Sequence, residues 1–216
     1  MTRVLTDYRT RVLNILGHAT VTRFDNDILD EGLRAALQSY SFATPNILSG
    51  EVTVATSGRT LALSSLTGLT NVLEVGYPYT TGEITPKSVT DWYFFIVSGA
   101  PALGFNGATV PEAGRKLYLR YTAHHTIDDL DGASTTTIPA QHDTMFVEGA
   151  AGYCALMRAS QVGESYRTDD YARMYQWGSE KLAALRASLT LLRNSPFTPM
   201  PQAAWPQDEH DRGDRY

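Results

Sequence analysis

The sequence predicts an α+β fold, in which a bundle of about four helices carries an inserted antiparallel β module and an extended C-terminal arm. Apolar residues recur at steps of three and four towards both ends of the chain, which is the spacing of amphipathic helices. The middle of the chain is rich in β-branched and aromatic residues that alternate with polar ones, as in strands. These shifts divide the 216 residues into N-terminal helices at 1–50, the β module at 51–137, C-terminal helices at 138–193 and the arm at 194–216.

The first two helices are predicted from their apolar spacing and their end signals. Residues 3–16 form one stripe, and Gly17 is the expected C-cap. The second helix is expected over residues 27–40, with Asp25 or Asn26 as the N-cap and Pro45 as the stop. The two stripes consist of Leu5, Tyr8, Val12 and Ile15, and of Ile28, Leu29, Leu33, Ala36, Leu37 and Tyr40.

The β module is predicted as an antiparallel set of strands. Strands are expected over residues 51–56, 61–63, 71–77, 91–97 and 116–123. The last of them has the clearest alternation, which places Leu117, Leu119, Tyr121 and Ala123 on one face. Glycine and proline fill residues 98–115, so the sequence predicts a long loop or a loose hairpin there.

Two more helices are predicted after Ile138-Pro139. The first has an apolar stripe that includes Cys154, a run of small residues at 149–152, and Gly163 as its end. The second begins near Thr168 and follows a near-heptad spacing that calls for a helical partner. We expect its seam to pack within the chain or against a neighbouring copy; the seam consists of Leu182, Leu185, Leu189 and Leu192.

The last residues are predicted to form an extended arm rather than a folded unit. Four prolines fall between Pro196 and Pro206, and a charged tail follows, so no core can form there. Four apolar side chains interrupt this polar segment and are candidate docking anchors: Phe197, Met200, Trp205 and Tyr216.

The composition favours a protein that works in an assembly. Charged residues make up 19% of the chain, below the ~25% typical of soluble domains. Arginine outnumbers lysine by 15 to 3, and the weakly hydrated guanidinium is common at protein interfaces. The net charge of −5 argues against a dedicated nucleic-acid binder. A single cysteine excludes an intrachain disulfide, and we expect a soluble protein without a signal peptide or membrane span.

No catalytic residue, metal or cofactor is predicted. Motifs for phosphate loops, zinc proteases and serine hydrolases are absent. The residues nearest to a metal cluster are His124 and His125 with His142-Asp143. His124 and His125 are adjacent on a strand and should point to opposite faces, away from a shared ion. The acidic run at 128–132 lacks the closing glutamate of a calcium loop, so we expect a turn. Cys154 is expected to be a small buried apolar residue.

The order of these elements resembles the head-to-tail adaptor, or connector, proteins of tailed bacteriophages. The similarity covers residues 3–193: two short helices (8–16 and 24–37), a β insertion ending at 117–125, and a small-residue helix after the Ile138-Pro139 turn. Within it, the second helix has the acidic start and the Leu/Ala-rich body common in that group.

The resemblance implies a structural role in the virion neck, after assembly in the cytoplasm of a host bacterium. It implies a ring of twelve copies below the portal protein, with neighbouring helices side by side around a channel through which genomic DNA passes. The arm would reach the portal through anchors such as Phe197 and Trp205. The β module would offer a platform to a tail or nozzle protein.

Two other functions are open on the residues alone. The β module could bind carbohydrate or a receptor through stacking rings, with the helices as a mount; the candidate rings are Trp92, Tyr93, Tyr118, Tyr77 and Tyr79. A hydrolytic enzyme would need an acid and a base brought together by folding, for example Glu74 and Asp91.

Overall fold

The computed structural model describes residues 3–17, 24–162 and 168–194, of which 162 and 168–170 are described by their backbone alone. Its helices are α1 (Leu5–Ile15), α2 (Asn26–Ala43), α3 (Asp143–Val162) and α4 (Thr168–Arg193). Its strands are β1 (Asn46–Thr53), β2 (Thr60–Ala62), β3 (Leu69–Tyr79), β4 (Trp92–Val97), β5 (Ala100–Phe105) and β6 (Lys116–Ala123). The helical bundle with an inserted antiparallel β module confirms the predicted α+β class.

The bundle is built around α3, which packs against the other three helices. The predicted stripes of α1 and α2 face it: Tyr8 and Val12 are buried, while Ile15 and Leu37 are partly buried at its edge. Asp25 caps α2 by accepting a hydrogen bond from the Ile28 backbone N–H at 2.9 Å. The helix continues three residues beyond the predicted end at Tyr40, because the stop signal at Pro45 acts only on the residues next to it.

Small residues let the helices of the bundle approach closely. A Cβ added to Gly32 of α2 would lie 2.2 Å from the Cys154 Sγ of α3. At the α3–α4 crossing, a Cβ on Gly178 would lie 3.0 Å from the Gly152 carbonyl oxygen. The run of small residues at 149–152 therefore lets α4 lie close to α3, and glycine brings the helix backbones together at both crossings.

The β module consists of two three-stranded antiparallel sheets that share one apolar core. Their strand orders are β1-β6-β3 and β2-β5-β4. The face of β6 that was predicted to be buried is buried, and the partner sheet contributes side chains such as Leu63, Leu103 and Phe105. Glu51 on the opposite face pairs with Lys116, whose ammonium lies 2.8 Å from the carboxylate and keeps the pKa of Glu51 below its usual value.

Two strands differ from the sequence prediction. β1 begins at Asn46, five residues early, because it pairs with β6 in unbroken register from Asn46↔Ala123. β5 occupies part of the predicted loop at 98–115, where Ser98 and Gly99 both have positive φ and close a tight hairpin. The sequence did not predict this central strand because it contains Pro101, and proline has no backbone N–H to donate to a neighbouring strand. Its carbonyl accepts from the Leu63 N–H at 2.9 Å, so its nitrogen faces the first residue after β2, and the absent N–H coincides with the end of the pairing between β2 and β5.

A buried histidine joins the bundle to the β module. The His125 backbone N–H donates to the Ser41 Oγ of α2 at 2.9 Å. Its Nε2–H donates to the Thr44 carbonyl oxygen at 2.8 Å, and its Nδ1 lies 3.0 Å from the Thr137 hydroxyl and 3.1 Å from the Thr137 carbonyl oxygen. That hydroxyl itself accepts from the Thr126 N–H, which leaves its own hydrogen available to Nδ1 of the neutral ring. Burial lowers the pKa of His125, so the joint is uncharged at neutral pH.

Acidification below about pH 6.5 is expected to destabilise the fold through this joint. The unfolded chain protonates its histidines near that pH, whereas the folded pKa of His125 is lowered, so stability is complete above it and falls as the pH drops. Burial also lowers the pKa of His142. A positive charge on His142 or on His124 would repel one on His125, so both neighbours lower the pKa of His125 further. Thermal melts from pH 7.5 to 5 should show a smaller loss for His125→Gln than for the natural chain. An identical loss in both would contradict a role for this ring.

Candidate interaction surfaces

The predicted leucine seam of α4 lies against α3 within the same chain. Leu182, Leu185 and Leu189 are buried in the bundle core, and Leu192 is partly buried against it. Leu185 fits into the space left by Gly149, since a Cβ there would lie 2.5 Å from its Cδ2. These four side chains therefore pack within the chain, and the opposite face of α4 is open to a neighbour.

The outward face of α4 is poor in charge. With 3.6 residues per turn, the positions opposite the seam lie over about five turns of helix. Among the positions of α4 whose side chains the structure describes, from Tyr171 onwards, Arg173 and Glu180 are the two charged ones on this face, and Leu191 is 75% exposed. We call these positions the α4 face; its exposed members are Ala172, Arg173, Gln176, Glu180, Ala183, Ala187, Thr190 and Leu191. Small and apolar residues in place of Lys and Glu let a helix of another molecule approach closely.

The second candidate surface is the outer face of the β2-β5-β4 sheet, which carries no charge. Tyr93 and Phe95 stack on it with ring centroids 5.2 Å apart, and Tyr93 lies over Gly104, which leaves no room for a Cβ. Tyr93 is 45% exposed and Val97 50% exposed. The strand register adds four further residues to this face: Thr60, Ala62, Ala100 and Ala102.

The five rings considered for sugar stacking do not form one platform. Trp92 and Tyr93 are consecutive in β4 and point to opposite faces, and Trp92 packs against the β core. The Tyr77 hydroxyl accepts from the Glu112 N–H at 2.9 Å, and the rings of Tyr79 and Tyr118 lie 5.5 Å apart on the other sheet. Tyr93 is the exposed one among these five rings.

The acid–base pair considered for hydrolysis is divided between the two sheets. Glu74 lies in β3, opposite Arg120 of β6. Asp91 directly precedes β4, and its carbonyl oxygen accepts from the Asn106 N–H at 3.0 Å. Cys154 offers no nucleophile, because burial raises the pKa of its thiol to about 12.

The histidines and acidic residues considered as metal ligands have other partners. The Tyr40 hydroxyl lies 2.5 Å from the His142 Nδ1, and both nitrogens of His125 are engaged in the joint. His124 is exposed on the other side. The acidic run at 128–132 forms a turn in which Asp131 pairs with Arg34. Within the described part of the chain, no group of three or more His, Cys, Asp or Glu could hold a metal ion.

An ion cluster around a buried carboxylate at the start of α3 was missed by the sequence reasoning. The Asp143 side chain is 3% exposed and pairs with Arg3 and Arg11. It borders a cleft formed with Tyr8 and Thr136, whose hydroxyl donates to the Arg3 carbonyl oxygen at 2.5 Å. The available signal was arginine at two positions close to the apolar stripe of α1. Because the carboxylate already has two cationic partners, the cluster ties α1 to the N-terminus of α3.

The four arm anchors, Phe197, Met200, Trp205 and Tyr216, lie outside the described residues. So do Gly163, the predicted end of α3, and the side chain of Thr168; α3 is described as far as Val162 and α4 from Thr168. Among the described helices, none is long and apolar enough to cross a membrane.

No family model matches the chain, and no curated protein does. A solved structure described as "Neck of empty GTA particle computed with C6 symmetry" contains a chain that is similar at 14% identity, with a TM-score of 0.29. The alignment covers 80% of this chain and 86% of that one. Since a TM-score this low does not establish a shared fold, we base the function on the chain's own surfaces.

Proposed function

We propose that this chain is a structural head-to-tail adaptor of a tailed phage, located in the neck of the virion. In this function, copies of the chain form a ring below the portal protein, extend the DNA channel and mount the tail. The ring has twelve copies, as the resemblance to connector proteins implies. This function requires no catalytic residue or cofactor, because it consists of contacts between protein chains.

The α4 face is the observation that carries the proposal. A helix whose seam is already filled from within, and whose outer side is small, apolar and nearly uncharged, is suited to lie against a neighbouring molecule. Leu191, at 75% exposure, would gain from being covered. In a ring of more than two copies each contact is heterologous, so the α4 face of one chain would pack against a different face of the next.

The β module and the arm extend this assembly in two directions. The uncharged outer face of the β2-β5-β4 sheet, with Tyr93 and Val97 exposed, would bind a tail or nozzle protein. The arm would reach the portal through Phe197, Met200, Trp205 and Tyr216. Residues 51–137 carry five basic and eight acidic side chains, a net charge of −3 that repels DNA passing through the channel.

Ala187→Arg is expected to prevent ring formation on the portal while the chain stays folded. The substitution places a charge in the middle of the α4 face, where burial in a subunit contact would leave it unpaired. The free chain should change in stability by no more than about 0.5 kcal/mol, because the position is exposed and arginine suits a helix. Negative-stain images of the protein mixed with purified portal should show rings for the natural chain and at least about tenfold fewer for the variant.

Ala113→Arg is the matched control, since it adds the same charge at an exposed turn of the β module. It should form rings as the natural chain does. A chain that lacks residues 195–216 should lose portal attachment. If neither the natural chain nor the control forms rings on the portal, the adaptor function is wrong; if Ala187→Arg also forms them normally, the α4 face is not the subunit contact.

The carbohydrate-binding alternative depends on Tyr93, the exposed ring among the five candidates for sugar stacking. Tyr93 stacks on Phe95 and presents 45% of its surface on an uncharged sheet face. Binding to a glycan array that is lost in Tyr93→Ala would favour this function over the adaptor. The adaptor function predicts no binding on such an array.

A further inference from the structure

β4 lies at an edge of the β2-β5-β4 sheet, and every second residue turns its backbone groups to the open side. In an antiparallel pair, residues bonded to the partner strand alternate with residues whose N–H and C=O face away from it. The Asp91 carbonyl oxygen accepts from the Asn106 N–H at 3.0 Å, so the bonded residues are Asp91 and every second residue after it. The N–H and C=O of Phe94 and Ile96 therefore face away from β5. Within the described part of the chain, no strand or isolated bridge pairs with them.

Nothing in the sequence of β4 protects this open edge from another strand. Edge strands of native proteins are commonly short, or they carry charges, a proline or a bulge. Residues 92–97 (WYFFIV) contain neither charge nor proline, and their register with β5 is unbroken. Ile96 is 67% exposed and Val97, on the opposite face, is 50% exposed, so the end of the strand is apolar on both faces. Such an edge is suited to bind an extended strand, which supplies both backbone partners and apolar side chains.

We propose that β4 of a second copy of this chain occupies the edge in antiparallel orientation, which joins two three-stranded sheets into one continuous sheet. The other described edge strands fit less well. β1 and β3 carry Glu51 and Glu74, whose carboxylates would lie beside apolar side chains, and β2 has only three residues. Two copies of the uncharged β4 approach without repulsion. A two-fold pair also needs one edge on each chain, since the same strand serves both sides.

The free backbone groups select the register of the pair. The Trp92 N–H is already bonded to the Thr90 carbonyl oxygen at 3.0 Å, so a register that requires this N–H loses hydrogen bonds. When Phe94 of each copy lies opposite Ile96 of the other, every free N–H and C=O of these residues is paired. The two-fold axis then passes between the two copies of Phe95. They form a non-hydrogen-bonded pair, in which the Cα atoms are about 4.5 Å apart.

This register covers side chains that are exposed in the single chain. On the outer face, Tyr93 of each copy lies opposite Val97 of the other, and an aromatic ring beside a β-branched side chain is a favourable cross-strand pair. Tyr93 already stacks on Phe95 with ring centroids 5.2 Å apart, so the rings of both copies form one row across the axis. On the other face, the exposed Ile96 gains Phe94 of the second copy as a neighbour.

The pairing belongs to the free chain and goes beyond the adaptor function. It covers an edge that would otherwise be open to unrelated strands before assembly. A two-fold pair is not part of a single cyclic ring, so the pair opens before a tail protein binds this sheet. That last consequence rests on the proposed function, whereas the pairing itself is tested without portal.

Sedimentation velocity of the full-length chain tests the pairing. The natural chain should form a dimer that dissociates on dilution. Ile96→Lys should raise the dissociation constant at least about tenfold, because it places a charge at the shared edge beside Phe94 of the other copy. Val110→Lys is the matched control, since Val110 is also exposed in the β module, and it should dimerise as the natural chain does.

Three outcomes of this experiment would overturn the proposal. The first is a natural chain that stays monomeric at about 100 μM, where even a weak specific dimer forms. The second is an Ile96→Lys dimer as stable as the natural one. The third is a dimer that is lost in Ala187→Arg and kept in Ile96→Lys, which would assign the contact to the α4 face.

A cysteine scan along β4 tests the register. Phe95→Cys should form a disulfide-linked dimer on mild oxidation, because the two copies of this position meet at the two-fold axis. Phe94→Cys should react at least about tenfold more slowly, because each copy of it lies opposite Ile96 of the other. Cys154 is buried and does not compete. Equal rates at the two positions, or a faster reaction of Phe94→Cys, would overturn this register.

Discussion

Gly32→Ala is expected to lower the free energy of unfolding by about 2–3 kcal/mol. The added methyl would lie 2.2 Å from the Cys154 Sγ and 3.1 Å from the Ala150 carbonyl oxygen, so α2 and α3 would have to move apart. Forcing a methyl into a packed core costs about 1–3 kcal/mol and occasionally more. Alanine gains up to about 1 kcal/mol over glycine from helix propensity, which offsets part of the strain. Urea unfolding followed by circular dichroism measures the difference.

Two further variants test whether the loss comes from this helix crossing. Gly50→Ala in β1 is the matched control, because its new methyl would meet Tyr121 at an ordinary 3.5 Å, and its stability should change by less than about 1 kcal/mol. Gly32→Ala combined with Cys154→Ala removes the sulfur that the methyl meets, so the double variant should lose less than the sum of the two single changes. Unchanged stability in Gly32→Ala would mean that α2 and α3 are not in close contact here.

The helical part of the fold was predictable from short-range patterns. The stripes of α1 and α2 were predicted residue by residue, because a helix buries one face and its spacing is visible in about two turns of sequence. The small residues around Gly152 indicated a close helix neighbour as well. The identity of that neighbour was not visible: Gly178 lies 26 residues further on, and its contact depends on how two helices cross.

The features that sequence reasoning missed depend on partners distant in the chain. β5 looked like a loop because Pro101 is unusual in a central strand, and its tolerance follows from the early end of β2. Asp143 was considered only as a metal ligand beside His142, whereas Arg11, 132 residues away, pairs with it. The α4 face could be derived only after the seam had been assigned, since the sequence left the seam open between a partner within the chain and one in another copy.

Leu185→Ala is expected to destabilise the free chain by about 2–5 kcal/mol. Leu185 is 3% exposed and fills the space above Gly149, so its truncation leaves a cavity that the backbone of α3 closes only in part. Leu191→Ala removes the same atoms from a side chain that is 75% exposed and should change stability by no more than about 0.5 kcal/mol. Thermal or urea unfolding at a concentration where the chain is monomeric gives both values.

The pair of leucine variants also assigns the two faces of α4 to different contacts. If the seam served to join copies, Leu185→Ala would leave the monomer unchanged and weaken the ring, and Leu191→Ala would change neither. Because Leu185 packs on α3 and Leu191 faces outward, we expect the reverse: the loss in Leu185→Ala is independent of protein concentration, whereas Leu191→Ala reduces the number of rings on the portal. A concentration-dependent loss of stability in Leu185→Ala would show that the seam, and not the α4 face, is the subunit contact.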